Sequence, residues 1–219
     1  MIVDDFLRDP HVLVDIAAHQ ADAFLMPERK YPGLLLGLDD DVMTDIYRFI
    51  RSKMTKHFPF LRGGLKMWTF LSKVTLQPDE LAIGQRRCHT DPNVGPDRKN
   101  YAALIYLFEN EELGGTNFFH YLKKFELLKT VEAMDLEDPD KAMTVLLENF
   151  PTYRKPARYM TESNEIAELL CTIPARFNRL IFYSGQIPHS AAITAPELLS
   201  KDFRKGRLTL NIFADALPK

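Results

Sequence analysis

Cysteine is scarce in this sequence. Two residues, Cys88 and Cys171, allow at most one bridge, which excludes a small disulfide-stapled scaffold. The opening stretch carries Asp4 and Asp5 where an export signal would carry bases, so both thiols are expected reduced and the protein cytoplasmic. Long apolar runs are missing too. The longest, 34–36 and 102–108, fall far short of the roughly 20 residues of a membrane helix. There is no excess of positive charge: the formal net charge of -2 argues against a nucleic-acid surface. Tryptophan occurs once, as Trp68, and core packing is its expected role. Repeats and low-complexity segments are absent.

What is present reads as one domain of 219 residues, with a core of ordinary size. Residues 1–64 suggest a short first strand (1–7) and two supporting helices. One helix spans 10–24, with Val12, Ile16, Ala17 and Phe24 at helical spacing. After a turn at 29–33, the other spans 42–56, started by Asp39, Asp40 and Asp41, which read as a helix start and not a metal site. From Leu65 the period shortens to that of a strand, continuing to Leu76. The near-continuous apolar run 101–108 suits a strand buried on both faces, reached through a polar loop at 93–100. Gly114 and Gly115 form a turn able to take positive φ, and a strand returns over 116–119. Residues 120–172 differ: they are charged, with Leu and Met at helical spacing and a second helical patch at 165–170, and they read as a helical insert or lid. Strands resume at 178–183, at His189 and at 207–213.

The chemistry begins at His89-Thr90-Asp91. An imidazole and a carboxylate two positions apart on a strand share one face. With a distant second histidine they make the three-ligand face that leaves half of an iron's coordination sphere open. His189, after the turn at Ser184 and Gly185, is the candidate. Arg207 and Thr209 follow on the last strand, again on one face. Standing alone, the triplet is equally a turn before Pro92; order along the chain favours the metal reading. Cys88 points the other way and is expected to pack. His57 and His120 are expected to be structural or exposed.

This order resembles the iron(II)- and 2-oxoglutarate-dependent dioxygenases, in particular their prolyl 4-hydroxylase-like branch. The resemblance runs over 65–213 outside the insert. It rests on His89-Thr90-Asp91, 101–107, Gly114-Gly115-Thr116-Asn117-Phe118, 174–182, His189 and Gly206-Arg207-Leu208-Thr209-Leu210, with an opening strand at 2–7. It implies a mainly β fold with flanking helices: a double-stranded β-helix (jelly-roll) core over 65–119 and 173–219, N-terminal helices in 1–64, and the insert at 120–172. It further implies that His89, Asp91 and His189 bind Fe(II), and that Arg207 grips the distal carboxylate of the co-substrate 2-oxoglutarate with Thr209 beside it. Tyr101, Tyr106 and Asn117 fall within reach of the co-substrate, with apolar packing as the alternative for the tyrosines. The reaction implied consumes O2 and 2-oxoglutarate and releases succinate and CO2. The presence of Asp91 favours hydroxylation over halogenation, since halogenating relatives lack this carboxylate.

Two features depart from the pattern. Eighteen positions separate His189 from Arg207, so residues 197–205 are expected to bulge out, with Arg204 as the fallback anion partner. The insert is long and matches no substrate-binding pattern. The expected substrate is a small molecule or a peptide; nucleic acid and membrane are not expected partners, and oligomeric state is not legible. The basic residues Arg154, Lys155 and Arg158 are compatible with an acidic substrate group or with a solvated face. The competing functions are a non-catalytic or sensory jelly-roll that keeps the metal, and a cupin-type iron enzyme that does not use 2-oxoglutarate.

Overall fold

Side-chain alternation along the strands sorts this chain into layers. The computed structural model describes residues 1–27, 31–53, 57, 65–92, 95, 98–134 and 138–216. Its strands are β1 (Ile2–Val3), β2 (Gly33–Gly37), β3 (Leu65–Val74), β4 (Lys99–Tyr106), β5 (Thr116–Tyr121), β6 (Ala167–Ile173), β7 (Leu180–Ser184), β8 (His189–Ala191) and β9 (Leu208–Ala216). They form an antiparallel six-stranded sheet in the order β1-β7-β4-β9-β3-β2 and a three-stranded sheet in the order β6-β5-β8. Two such sheets face to face are the expected jelly-roll.

On the outer face of the large sheet, Leu208, Leu210, Ile212 and Ala214 of β9 join Tyr101, Ala103 and Ile105 of β4 in one cluster. Helix α1 (His11–His19) seats Leu13, Val14 and Ala17 there, and α2 (Asp40–Lys53) seats Met43, Ile46 and Ile50. Their spacing of three and four residues makes one apolar stripe per helix. The inner face carries Tyr106, Ile181 and Tyr183, which meet Phe118 and Ile173 of the small sheet. Within the 120–172 region, α3 (Phe125–Met134) and α4 (Pro139–Asn149) pack Leu128, Val131, Leu146 and Phe150 against Phe119 and Cys88. Cys88 is fully buried, as expected.

Several expectations change. The run 33–37 is a strand that the sequence pattern did not reveal. It is possible because a Cβ at Gly33 would lie 2.0 Å from the Lys73 carbonyl oxygen, so only glycine allows this approach. The helical patch at 165–170 is instead part of β6: pairing with the open edge of β5 overrides helix propensity. The first helix ends at His19 and gives way to a 3-10 turn over Ala21–Ala23. Trp68 is 37% exposed, not core, and Lys66 sits over its ring. The 197–205 loop also does not simply bulge outward. Phe203 turns back to pack on Phe24, with ring centroids 4.5 Å apart, and the Asp202 carbonyl accepts a 2.6 Å hydrogen bond from buried Lys73. Positions 29 and 30 of the expected turn, 54–56 of the expected second helix and 93, 94, 96 and 97 of the polar loop lie outside the described residues. Among the described residues no helix is long and apolar enough to cross a membrane.

Candidate metal centre

His89 and Asp91 do not sit in a strand, as the sequence suggested, yet backbone pairing puts them where a strand would. His89 and His189 form an isolated antiparallel bridge, each N–H donating to the other's carbonyl at 2.9 and 2.8 Å, and the Asp91 N–H donates to Gly185 at 2.8 Å. The two imidazole centroids are thereby 4.5 Å apart. His189 Nε2 lies 3.8 Å from Asp91 Oδ1, and the three candidate ligand atoms are all within 4.8 Å of one another. The segment bearing Asp91 is clamped further. Gln186 donates to the Asp91 carbonyl and to Asn100 Oδ1, while Asn100 donates to the Pro92 carbonyl.

Protonation states follow from the surroundings. His189 Nδ1 lies 2.8 Å from the Ile187 carbonyl, which can only accept, so Nδ1 donates to it and Nε2 is the ring nitrogen that faces Asp91. Packing around the His89 ring, then the charges of His189 and Arg87, pushes its pKa down to about 3, although one edge of the residue is open to solvent. Burial raises the Asp91 pKa, against the opposing pull of His189. Asp91 Oδ2 is buried without a hydrogen-bond partner. Leaving such an acceptor unsatisfied costs about 1–3 kcal/mol. Two imidazoles and one orphaned carboxylate oxygen, all within 4.8 Å of one another, are a donor set that fits a divalent transition metal. Gly185 makes room for it: a Cβ there would come within 2.5 Å of Asp91 Oδ2. Tyr183 and Phe118 wall the site, their centroids 4.9 and 6.4 Å from His189.

Arg207 lies immediately before β9 and is 2% exposed. Its Nε and Nη2 donate to the carbonyls of Gly114 and Gly115 at 3.2 and 2.9 Å, and the guanidinium stacks over Phe108. The turn that presents these carbonyls needs both glycines. Gly114 has φ +86°, and a Cβ on Gly115 would meet the Ile173 carbonyl oxygen at 1.9 Å. Among the described residues no carboxylate pairs with Arg207. A buried guanidinium whose partners are neutral carbonyls has the chemistry to pair with an anion. Thr209 follows on β9, fully buried, its hydroxyl 3.4 Å from the Ser72 carbonyl. Arg204, the fallback, is ion-paired with Asp15 at the surface.

Of the three other predicted contacts, Tyr101 and Asn117 face elsewhere and Tyr106 faces inward. Tyr101 points to the outer face, stacked on Phe182 in the cluster beneath the helices. Tyr106, five residues on and of opposite parity, is the tyrosine on the inner face, its hydroxyl 2.8 Å from Thr116 Oγ1. Asn117 points away from His189; its amide accepts from Thr172 and donates to the Met160 carbonyl. The turn to the opposite face follows from parity on β5, where Thr116 and Phe118 look inward. Tyr31 and Tyr159 reach the Arg207 end from outside the jelly-roll, and no motif spacing marks them in the sequence.

DUF6445, described as a family of unknown function, matches residues 1–214. The chain belongs to this family. No curated protein matches it. Among solved structures it resembles EvdO2 from Micromonospora carbonacea var. aurantiaca complexed with 2-oxoglutarate, at a TM-score of 0.50 and 11% identity over 100% of this chain and 86% of that one. It is also similar to a prolyl-4-hydroxylase from Pseudomonas putida, at a TM-score of 0.48 and 14% identity over 100% and 92% of the two chains. A third similar structure is the epimerase SnoN in complex with Fe3+, alpha ketoglutarate and nogalamycin RO, at a TM-score of 0.48 and 15% identity over 100% and 81%. The likeness to EvdO2 shows a shared fold.

Proposed function

We propose that this protein is a non-haem iron(II)- and 2-oxoglutarate-dependent oxygenase of hydroxylating type. The observation that carries this reading is the presence in one jelly-roll of two features: the convergent His89, Asp91 and His189 atoms, and a buried Arg207 with no carboxylate partner among the described residues. A metal alone would explain the first group and leave the second unexplained. A keto-diacid that reaches from one to the other explains both. EvdO2, whose fold is shared, binds 2-oxoglutarate.

In this reading His89, Asp91 and His189 hold Fe(II), which when bound supplies the redox chemistry linking O2 and 2-oxoglutarate to substrate oxidation, with succinate and CO2 released. The residues do the rest. His189 presents Nε2 because its Nδ1 proton is committed to Ile187. Asp91 supplies the single negative charge and occupies the position that a halide would need, which favours hydroxylation. Arg207 receives the distal carboxylate with its planar fork of N–H donors, and Thr209 adds a hydroxyl. Tyr183 and Phe118 keep water from the space beside His189. The substrate is a small molecule or peptide, selected by the 120–172 region, and the setting is cytoplasmic.

The test is anaerobic. Fe(II) and 2-oxoglutarate added to metal-free protein should give the weak visible charge-transfer band of a chelated keto-acid, absent in His89→Ala and His189→Ala. Admitting air should then release succinate slowly. Tight iron binding without the band would reject 2-oxoglutarate and favour a cupin-type enzyme. A band with no succinate on exposure to any amino-acid, peptide or metabolite panel would favour a sensor.

A further inference from the structure

We infer that the primary substrate of this oxygenase carries a protonated amine, received by Asp215 beside the metal centre, with Trp68, Phe70 and Phe213 against its carbon frame. This inference rests on the oxygenase reading above and adds a contact from the large sheet to the selection of the substrate. Asp215 lies at the far end of β9 from Arg207, opposite Lys66 of β3 and Asn100 of β4. On the same strand Thr209 pairs with the inward-facing Tyr106, and alternation from Thr209 turns Asp215 into the jelly-roll as well. Asn100 links it to the metal centre. A Cβ on Gly185 would meet Asp91 Oδ2 at 2.5 Å and Asn100 Cγ at 3.1 Å, so those two side chains are neighbours. Residues facing one another across a sheet stand about 5 Å apart. Asp215 is therefore one side chain away from the ligand carboxylate.

Asp215 is 6% exposed, and its Oδ2 is buried without a hydrogen-bond partner. A buried carboxylate is ordinarily paired. The groups around this one are committed or held off. Asn100 donates to the Pro92 carbonyl and accepts from Gln186. Arg98 Nη1 lies 3.9 Å from Oδ2, too far for a hydrogen bond, on a half-exposed side chain. Lys66 places its ammonium over the Trp68 ring, 4.9 Å from the centroid. Burial raises the Asp215 pKa in spite of both cations. A carboxylate so placed gains most from a ligand that brings its own positive charge and N–H donors. The adjoining surface suits the rest of such a molecule. Phe213 and Trp68 are paired across β9 and β3, Phe70 meets Phe213 with ring centroids 6.2 Å apart, and Trp68 is partly open to solvent. Lys66 shows that the Trp68 face already accepts a cation.

The test uses the full-length protein loaded with Zn(II) and N-oxalylglycine, and two probes of one shape, benzylammonium chloride and benzyl alcohol. Affinities are read by NMR titration of the probe, without turnover. Wild-type protein should bind benzylammonium about 10-fold or more tighter, the worth of a hydrogen bond to a charged group. Asp215→Asn should abolish that preference and hold benzyl alcohol within about twofold. Arg98→Ala, a change at a half-exposed side chain, should strengthen benzylammonium severalfold by removing a competing cation. Exchange of Zn(II) for Mn(II) should broaden the resonances of the bound probe, which places it near the metal. The assignment is overturned by a preference that survives Asp215→Asn, by Arg98→Ala protein that binds benzylammonium no better than wild type, or by a probe that Mn(II) leaves sharp. No preference in protein that does bind metal and N-oxalylglycine would overturn it too, and the oxygenase reading would stand. A preference removed by Asp215→Asn in protein that binds neither would keep Asp215 as an amine site and overturn the oxygenase reading.

Discussion

At the metal end, His89 and Asp91 lie on an irregular segment held by one isolated bridge to His189 and one backbone bond to Gly185, with Asp91 Oδ2 left unpartnered. At the arginine end, Arg207 and Thr209 lead into β9, which is paired along its length with β3 on one side and β4 on the other. One end is a convergence of loops that a ligand completes; the other is a rigid wall with a charge already in place. Both store an uncompensated polar group of opposite sign, and both are costly to the empty protein. This is the expected signature of a site whose stability was traded for binding.

If the two ends are separable, substitutions at one should spare the other. The largest effect is expected for His189→Ala, with Mn(II) affinity falling more than about 1000-fold by calorimetry, since a three-ligand site loses a neutral donor. A small loss would mean that the triad is not the metal site. Arg207→Ala should lower 2-oxoglutarate affinity about 100-fold, with metal affinity within about twofold; a parallel loss of metal would show that the ends are coupled. Gly185→Ala is expected to cut metal affinity about 10-fold, because the new methyl displaces the Asp91 carboxylate, while 2-oxoglutarate binding to the loaded protein changes less.

The smallest expected effect concerns the metal-free protein. Asp91→Asn should stabilise it by about 1 kcal/mol at pH 7 in urea unfolding. The sign of the pH dependence follows from burial. Asp91 has a raised pKa when folded, so between the usual carboxylate range and that raised value the folded state holds the extra proton. Stability therefore falls as pH rises through this window, and the variant should lack that slope. A variant less stable than wild type would mean that Asp91 has a partner in the empty protein.

Much of this was legible in the chain. The grouping of His89, Asp91 and His189 was readable because few residue types bind iron and their order along the chain is distinctive. The buried arginine was readable from its place on the last strand. The faces of Tyr101 and Asn117 were not, because parity is fixed only when the strand register is known, and Tyr106 rather than Tyr101 turned out to look inward. The 165–170 stretch was misread because helix propensity is weak against an unpaired strand edge. Strand β2 was invisible too, because its short Gly33–Gly37 run announces itself only when β3 is beside it.

The sequence alone determined the alternation that makes two sheets, the apolar stripes that seat the helices, and the residue types able to hold a metal and an anion. Those are local properties of side chains and of their spacing. Which face each residue occupies, which carboxylate oxygen is left without a donor, and which carbonyls meet the buried Arg207 were decided only by tertiary structure. Each of these depends on partners supplied from distant parts of the chain.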